Sequence, residues 1–315
     1  MQKHPWRITF VTNPDDCNLR CLMCKGHSIY IKRIKNKRYM DLDLIRKVFK
    51  ESISLKEIIP STMGEPLLFK HFDALIDLCH EFNIKMNLTT NGTFPRYGAI
   101  EWAKKIVPVG SDIKISWNGV KKETFEKIMI GSNFEKHLQN VKDFIKIRDE
   151  IADRGGNFCQ VSFQITVMES NVKELKEMIQ LAANLGVNRI KANHVWVFHQ
   201  EVKRESLKKE RWNHFAKEAI ECAKDLNIVL QNIKPLDTHT LPKACPFIGK
   251  EAWVSVEGEF GPCCSFDKQK LGHFGNLHTQ SMEAIFNSKT YKNFVKNYAN
   301  HPVCKQCNMR KCGPS

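Results

Sequence analysis

Two periodicities alternate along roughly the first 235 residues: short runs of β-branched and apolar residues, and longer amphipathic segments of helical period. The short runs predict strands at Arg7–Thr12, Glu57–Pro60, Lys85–Thr90, Ile113–Trp117, Val161–Met168 and Arg189–Phe198. The amphipathic segments predict helices at Leu42–Lys50, Phe72–Phe82, Phe134–Asp149, Val172–Leu185 and Lys208–Leu226. This succession of strand–helix units favours an α/β fold with a parallel sheet and right-handed crossovers.

The pattern changes in the last quarter of the chain. Gln231–Lys243 contains two prolines and no periodicity, which predicts a linker. Trp253–Val256 and Glu259–Pro262 flank Glu257-Gly258 and predict a β-hairpin, and Ser281–Tyr298 predicts one helix. We therefore expect two domains, residues 1–235 and residues 240–315. The second is too small for a good core of its own and is expected to need a metal to hold it together.

Composition adds a cellular context to this fold. Of the 315 residues, 42% are hydrophobic and 26% are charged, which excludes a disordered or collagen-like chain. No apolar run approaches the ~18 residues that a membrane span requires, and the first residues lack the apolar stretch of a signal peptide. We therefore expect a cytoplasmic protein without membrane association, in which the 12 cysteines serve as metal ligands rather than disulfides. Three isolated cysteines are instead expected to be buried free thiols: Cys79, Cys159 and Cys222.

A first group of cysteines follows the first predicted strand directly, in the sequence C-N-L-R-C-L-M-C over residues 17–24. Three thiolates can hold three irons of a cubane cluster and leave the fourth iron open. A closed zinc or iron–sulfur site uses four protein ligands, and no fourth cysteine or histidine stands at a matching local spacing, although His27 is near. The spacing therefore indicates a catalytic cluster, and a zinc site completed by a remote residue is the alternative.

This C-x-x-x-C-x-x-C loop resembles the signature of the radical S-adenosylmethionine (radical SAM) superfamily. The resemblance extends over residues ~5 to ~230 and implies a partial (β/α)6 TIM-like barrel. It also implies a 4Fe–4S cluster on Cys17, Cys21 and Cys24, with the free iron bound to the amino and carboxylate groups of SAM. In that family, reductive cleavage of SAM gives a 5′-deoxyadenosyl radical, which abstracts hydrogen from the substrate.

Other segments at the ends of predicted strands resemble the family's SAM-binding motifs. Residues 63–66 (M-G-E-P) are similar to G-G-E-P, whose glutamate and backbone receive the SAM amino group, with Met63 in place of the first glycine. Residues 89–92 (T-T-N-G) and 116–119 (S-W-N-G) resemble turns whose polar side chains contact the ribose and carboxylate. The resemblance implies these SAM contacts: Met23 (where the family commonly has an aromatic residue near the adenine), Gly64, Glu65, Thr89, Asn91 and Ser116. Local turn chemistry is the alternative for the polar residues, and no residue is assigned a catalytic role.

The second group of cysteines lies in the tail, at Cys245, Cys263, Cys264, Cys304, Cys307 and Cys312. With the G-N-L turn at 275–277, it resembles the auxiliary-cluster extension called SPASM in its two-cluster form and Twitch in its shorter form. Six cysteines are too few for two four-cysteine clusters. The resemblance therefore implies one auxiliary iron–sulfur cluster, of the 4Fe–4S type, on Cys245, Cys263, Cys304 and Cys307. Cys264 and Cys312 remain as alternative ligands, inert thiols or hydrogen donors, and a four-cysteine zinc site is the alternative.

A fully ligated cluster beside a radical site can accept an electron from a substrate radical, which permits a net two-electron oxidation. We therefore expect a radical SAM oxidoreductase acting on a small polar metabolite, similar to the aminocyclitol dehydrogenases of antibiotic biosynthesis. A first strand at residue 7 suggests that no N-terminal peptide-recognition domain is present. One alternative is a peptide maturase that catalyses crosslinking, epimerisation or side-chain oxidation. Another is a zinc-stabilised nucleic-acid-binding protein.

The charge of the chain bears on its partners. Lys and Arg number 49 against 34 Asp and Glu, a net charge of +15. Five basic residues follow the first cysteine loop closely: Lys32, Arg33, Lys35, Lys37 and Arg38. Such a surface attracts an acidic reductant such as flavodoxin or ferredoxin, or a phosphorylated or nucleic-acid substrate, and a merely solvated basic face is the alternative. The substrate, small molecule or peptide, is not identified by any motif.

Overall fold

A single sheet of nine strands organises the computed structural model, which describes residues 4–60, 63–236, 244–265 and 268–307. The strands are β1 (Arg7–Phe10), β2 (Glu57–Pro60), β3 (Lys85–Thr90), β4 (Gly110–Ser116), β5 (Gln160–Val167), β6 (Arg189–His194), β7 (Val229–Gln231), β8 (Glu251–Val254) and β9 (Phe260–Gly261). Their order across the sheet is β7-β6-β5-β4-β3-β2-β1-β8-β9. Neighbouring strands pair in parallel, except for the antiparallel hairpin of β8 and β9. The predicted parallel α/β fold is therefore confirmed.

Helices occupy most of the crossovers between consecutive parallel strands. The crossover helices are α1 (Leu42–Glu51), α2 (Phe72–Glu81), α3 (Gly98–Ile106), α4 (Lys122–Ile128), α5 (Phe134–Asp153), α6 (Leu175–Asn184) and α7 (Lys209–Ala223). Three more helices follow β9: α8 (Met282–Asn287), α9 (Lys289–Asn297) and α10 (Pro302–Lys305). Side-chain caps define where several of them begin: Asp41 accepts from the Asp43 N–H at α1, and Asn133 from the Lys136 N–H at α5. No helix in the described part of the chain combines the length and apolar composition needed to cross a membrane.

The two faces of the sheet have opposite chemistry because successive side chains of a strand point to opposite sides. Apolar residues face the helices: the Phe10 ring lies 6.0 Å from that of Phe49 on α1. At the end of β4 the Trp117 ring stacks on Phe163 of β5 at 4.8 Å. This face forms the main core of the molecule.

The opposite face, which we call the polar face, carries charged and amide side chains. Its members on the central strands are Arg7, Thr9, Glu57, Asn87, Thr89, Asp112, Lys114, Ser116, Ser162, Gln164, Arg189, Lys191 and Asn193. In the middle of the face Asp112 and Lys114 are buried, 6% and 9% exposed, whereas Arg7, Glu57 and Arg189 at the amino ends of their strands are half-buried. Toward the carboxyl ends Ser116, Gln164 and Lys191 are half-buried. The polar face is therefore accessible toward the carboxyl edge, where ligands of parallel α/β folds bind.

The tail is joined to the barrel strands more closely than the sequence indicates. Strand β8 pairs in parallel with β1, so the hairpin extends the main sheet. Arg7 lies between two carboxylates, Glu57 of β2 at 3.0 Å and Glu251 of β8 at 2.6 Å. Lys47 on α1 donates to the carbonyl oxygens of Leu277 and Gln280. The division at residues 235–240 stays a prediction, and the two segments share one sheet.

Several element predictions need correction. The helix expected over Ser281–Tyr298 is two helices, α8 and α9, because Ser288 leaves the helical conformation and its hydroxyl caps α9 by accepting from the Tyr291 N–H. The helices α3 and α4 and the strand β7 were not predicted. The expected linker begins inside β7, and its residues 237–243 lie outside the described ranges.

Candidate functional site

The first cysteine loop follows β1 at the carboxyl edge of the sheet. Its backbone is fixed to the end of α4, because Arg20 and Leu22 donate to the carbonyl oxygens of Ile130 and Ile128, each at 2.9 Å. The Arg20 guanidinium also donates to the carbonyl oxygens of Ser28 and Ile31. These bonds attach the loop to the end of α4 and to residues 28–31.

The chemistry of the three thiols suits a metal cluster. Burial raises the pKa of Cys17 to about 12, and burial likewise raises the pKa values of Cys21 and Cys24. Cys17 and Cys21 each feel the charge of Cys24, so the three sulfurs converge on one region. Such thiols are neutral on their own, and a cationic metal such as iron would stabilise their thiolate form against this repulsion. The residues predicted to hold the first cluster therefore fit that group.

The distances between the thiols distinguish a site for a single metal ion from a site for a cluster. Among the described residues, no three His, Cys, Asp or Glu side chains are spaced to hold a single metal ion. In a cubane cluster each thiolate binds a different iron, so its sulfurs lie farther apart than the ligands of one ion.

The turn at residues 63–66 packs against the chain just before the cysteine loop. A Cβ at Gly64 would lie 2.5 Å from the Asp16 carbonyl oxygen and closer still to that of Asn13. The Glu65 N–H donates to the same Asp16 oxygen at 2.8 Å, and the Asn13 amide donates to the Glu65 carbonyl at 2.7 Å. Gly64 therefore permits the turn to approach residues 13–16, and its predicted contact with SAM stays a prediction.

Glu65 connects two of the strand-end turns. Its carboxylate accepts from the Thr90 hydroxyl at 2.8 Å, the Asn91 N–H at 2.7 Å and the Leu67 N–H at 3.2 Å. The side chain is 1% exposed, and burial raises its pKa to about 7 against these donors. Glu65 thus holds the turns after β2 and β3 together. The sequence predicted a contact for Thr89 but not for Thr90. The alternation along β3 puts Thr89 on the polar face and Thr90 on the opposite side, where it bonds to Glu65.

Asn91 lies next to the cysteine loop. Its amide nitrogen donates to Asn18 Oδ1 at 2.8 Å and lies 3.9 Å from the Cys17 sulfur, and its amide oxygen accepts from Thr93. His137, which is buried, contacts the Asn91 carbonyl at 3.1 Å. The Asn91 side chain therefore serves the loop that carries Cys17, and its contact with SAM stays a prediction.

The other predicted SAM contacts lie around the same edge. Thr89 and Ser116 are on the polar face, both half-buried. Met23 is half-buried against the core. Met63, which departs from the family motif, extends its terminal methyl group toward Gly26, two residues after Cys24.

The second cysteine group forms a cluster of thiols in the tail. Cys245, Cys263 and Cys304 are buried, and Cys307 is half-buried after α10. Cys263 feels the charges of Cys264, Cys245 and Cys304, and burial raises its pKa to about 12. The Cys245 N–H donates to the Tyr298 hydroxyl at 2.9 Å. These residues fit an auxiliary cluster for the same electrostatic reason as the first group. Cys312 lies outside the described residues.

Cys264 links this second group to the polar face. It is exposed, and it lies within electrostatic range of Cys245, Cys307 and Glu251. Lys191 of β6, in turn, feels the charge of Cys264. Both thiol groups therefore border the polar face, one at the carboxyl edge and the other beside β6 and β8.

Gln164 on β5 and Lys191 on β6 lie on the polar face, and neither belongs to a motif that the sequence could reveal. Gln164 pairs in register with Ser116 on one side and with Lys191 on the other. His194, at the end of β6, instead packs edge-on against Trp212 at 4.7 Å, and its Nε2 has no hydrogen-bond partner among the described residues. Only the strand register brings Gln164 and Lys191 beside the predicted SAM contacts.

Comparison with known proteins gives two family matches. The radical SAM superfamily model matches residues 14–182, more than half of the chain. The SPASM model, described as an iron–sulfur cluster-binding domain, matches residues 245–308. A Pyrococcus furiosus protein named "Tungsten-containing aldehyde ferredoxin oxidoreductase cofactor-modifying protein" is 24% identical, over 93% of this chain and 85% of its own. A GTP 3′,8-cyclase of Nautilia profundicola is 26% identical over 54% of this chain and about half (51%) of its own length.

Solved structures show the same fold at low identity. Streptococcus suis SuiB bound to S-adenosylmethionine has a TM-score of 0.69 at 11% identity, covering 98% of this chain and 72% of SuiB. Native anSMEcpe with bound AdoMet also has a TM-score of 0.69, at 18% identity, covering 98% of this chain and 89% of its own. BtrN in complex with AdoMet and 2-DOIA has a TM-score of 0.53 at 17% identity, covering 98% and 94%. Each is a structural relative of this chain.

Proposed function

The chain belongs to the radical SAM superfamily and carries a C-terminal SPASM iron–sulfur domain, and from this premise we propose that it oxidises a small polar substrate by two electrons. The cofactors of such an enzyme are a 4Fe–4S cluster, an auxiliary iron–sulfur cluster and SAM. When bound, they supply a 5′-deoxyadenosyl radical and an electron acceptor. The chain itself must bind, orient and shield the reacting groups.

We assign one cluster to each of the two thiol groups. Cys17, Cys21 and Cys24 hold the SAM-binding cluster, and Cys245, Cys263, Cys304 and Cys307 hold the auxiliary cluster. SAM is expected over the carboxyl edge, against Met23, Gly64, Glu65, Thr89, Asn91 and Ser116. Glu65 and Asn91 contribute mainly by fixing the turns around that edge.

One observation carries the proposal: both thiol groups border the same polar face. Ser116, Gln164 and Lys191 lie in one row across β4, β5 and β6, and Lys191 feels the charge of Cys264 beside the second group. A substrate over this row borders the second group through Lys191, and that group is then the acceptor for an electron removed from the substrate. That arrangement supports oxidation, because a substrate radical needs an acceptor to become a closed-shell product.

The test is turnover by the anaerobically reconstituted enzyme with SAM and a reductant. We expect 5′-deoxyadenosine and a product two mass units lighter than its substrate, in equal amounts. Candidate small molecules are screened by mass spectrometry for this loss. Stoichiometric 5′-deoxyadenosine together with a substrate-derived product of unchanged mass would contradict two-electron oxidation.

Peptide modification is a second candidate, because apolar side chains are exposed beside the first cysteine loop. Trp196 is 51% and Val197 44% exposed. The same segment reaches the loop through His199, whose Nε2 lies 2.9 Å from the Cys24 carbonyl oxygen. SuiB has been solved with its precursor peptide SuiA, and anSMEcpe with the Cp18Cys peptide. A peptide encoded beside this gene, altered in mass only when SAM is present, would favour this function over the first.

The reductant is proposed to approach the basic segment after the first loop. Lys37 and Arg38 are neutralised there by Asp16 at 2.5 Å and Asp15 at 2.6 Å. Lys32, Arg33 and Lys35 remain exposed. An acidic flavodoxin or ferredoxin complements that charge, and its rate of electron delivery should fall as ionic strength rises.

A further inference from the structure

We propose that Lys191 and Gln164 form an anion-binding site on the polar face, which takes a carboxylate or phosphate group of the substrate. The inference rests on the proposed function, because it names the substrate class for the same site. Nothing in the family matches assigns either residue.

The position of the two side chains is the first argument. Gln164 pairs with Ser116 of β4 and with Lys191 of β6, and all three lie on the polar face. This row is half-buried, whereas Asp112 and Lys114, nearer the amino ends of the strands, are buried. A ligand over the row would therefore contact both side chains without disturbing the buried pair of Asp112 and Lys114.

The second argument is the pairing of charges on this face. Asp112 is shared by two cations, Arg189 and Lys114. Arg7 lies between Glu57 and Glu251. The carboxylates of the face are thus already engaged with other cations. Within the described ranges, the Lys191 ammonium has no hydrogen bond and no ion pair, and only its backbone is paired, in the sheet.

Like the Lys191 ammonium, the side-chain amide of Gln164 is unpaired among the described residues. Its backbone carbonyl accepts from the Trp117 N–H at 3.0 Å, but its side-chain amide has no hydrogen-bond partner within residues 4–60, 63–236, 244–265 and 268–307. A half-buried ammonium beside a half-buried amide offers several N–H donors to one ligand, and both prefer an oxygen acceptor. An anion satisfies the ammonium fully, because a charge-assisted hydrogen bond is about twice as strong as a neutral one.

The electrostatic environment of Lys191 agrees with this geometry. Burial lowers its pKa, and Arg189 and Arg7 lower it further, whereas Asp112 and Cys264 oppose them. A bound anion would offset the repulsion from the two arginines. The alternative is that Lys191 acts only on the second thiol group through Cys264, and the experiment separates these roles.

The test measures anion binding by equilibrium dialysis on the reconstituted holoenzyme at low ionic strength. Radiolabelled inorganic phosphate and radiolabelled succinate are the two probes. We expect one of them to bind the wild type, and the preferred probe identifies a phosphate or a carboxylate as the recognised group. Lys191→Met should weaken that binding by at least about tenfold, the effect of losing a hydrogen bond to a charged group. Lys191→Arg keeps the charge and should retain most of it.

Lys85→Met is the matched control. Lys85 is also half-buried and on a strand, but it is the first residue of β3, at the amino end and away from the carboxyl edge. Its ammonium donates to Asn157 and to the Pro108 carbonyl. Its loss should leave anion binding unchanged. Folding of each variant is checked by its melting temperature. Lys191→Met should melt no lower than the wild type, because it removes a half-buried charge without an ion pair.

Two outcomes would overturn the inference: neither probe binds the wild type, or Lys191→Met binds as tightly as the wild type. A shift in the potential of the auxiliary cluster with unchanged anion binding would assign Lys191 to the second thiol group instead. The 5′-deoxyadenosine assay is run in parallel. Its failure in the wild type would count against the proposed function alone, because anion binding is measured without turnover.

Discussion

Gly64→Ala tests whether the turn after β2 positions the first cysteine loop. The added Cβ would lie 2.5 Å from the Asp16 carbonyl oxygen, where no side chain fits, and both neighbouring atoms belong to the backbone. The turn must therefore shift. Overpacking of a buried site costs about 1–3 kcal/mol, and loss of the hydrogen bond from Glu65 N–H to Asp16 O costs about 1 kcal/mol more.

A total of about 3 kcal/mol corresponds to a fall of about 5–10 °C in the melting temperature of a domain of this size. Displacing the cysteine loop should also reduce 5′-deoxyadenosine formation by about 10- to 100-fold, because misplacement of a reacting group by ~1 Å has effects of that order. Melting is followed by circular dichroism, and 5′-deoxyadenosine by chromatography after a fixed time with SAM and dithionite.

Gly26→Ala is the matched control for stability. It adds the same methyl group two residues after Cys24, but there it meets only the flexible end of Met63, at 3.2 Å. We expect a loss of less than about 1 kcal/mol. If Gly64→Ala melts with Gly26→Ala and cleaves SAM at the wild-type rate, the turn does not position the loop, and the reasoning is refuted.

Four further predictions follow from the same contacts. Cys21→Ala should abolish 5′-deoxyadenosine formation and lower the iron content by about four atoms per chain; unchanged iron would contradict its role as a ligand. Cys304→Ala should also lose about four irons yet still cleave SAM, with oxidation lost more than cleavage; unimpaired product formation would remove the auxiliary cluster from the reaction. Arg7→Met should lower stability by about 2–4 kcal/mol, because it leaves two carboxylates facing each other without a cation, and a melting temperature equal to that of the wild type would show that the pairing is unimportant. Glu65 should make stability fall as pH rises from about 4.5 to about 7, by on the order of 3 kcal/mol, because the folded state holds its proton to a higher pH than the unfolded state does. The melting temperature should therefore change with pH differently in the wild type and in Glu65→Gln over that range. The same dependence on pH in both would contradict the burial effect.

The features that the sequence revealed are those encoded locally. The strand Lys85–Thr90 and the cysteine spacing of residues 17–24 each depend on residues within one short segment, and both could be predicted. The prediction of a single helix in the tail was wrong because the apolar period continues across Ser288, although the hydroxyl of Ser288 caps a new helix. A capping residue inside a periodic segment was the available signal.

Contacts between distant segments could not be predicted. The SAM contact of Glu65 stays a prediction, but no local pattern indicated that its carboxylate accepts hydrogen bonds from Thr90 and Asn91, 25 and 26 residues away. The pairing of β8 with β1 joins residues more than 240 positions apart, so no local pattern could place the hairpin in the main sheet. Lys191 and Gln164 become neighbours only through strand register, which the hydrophobic alternation does not specify for residues on different strands.

The central claim is that two separate thiol groups each hold an iron–sulfur cluster beside one polar face. Iron, acid-labile sulfide and zinc, measured per chain in the anaerobically purified protein, test it most directly. The account predicts about eight irons and about eight sulfides, the content of two cubane clusters. Zinc bound at the cysteines without sulfide would contradict it.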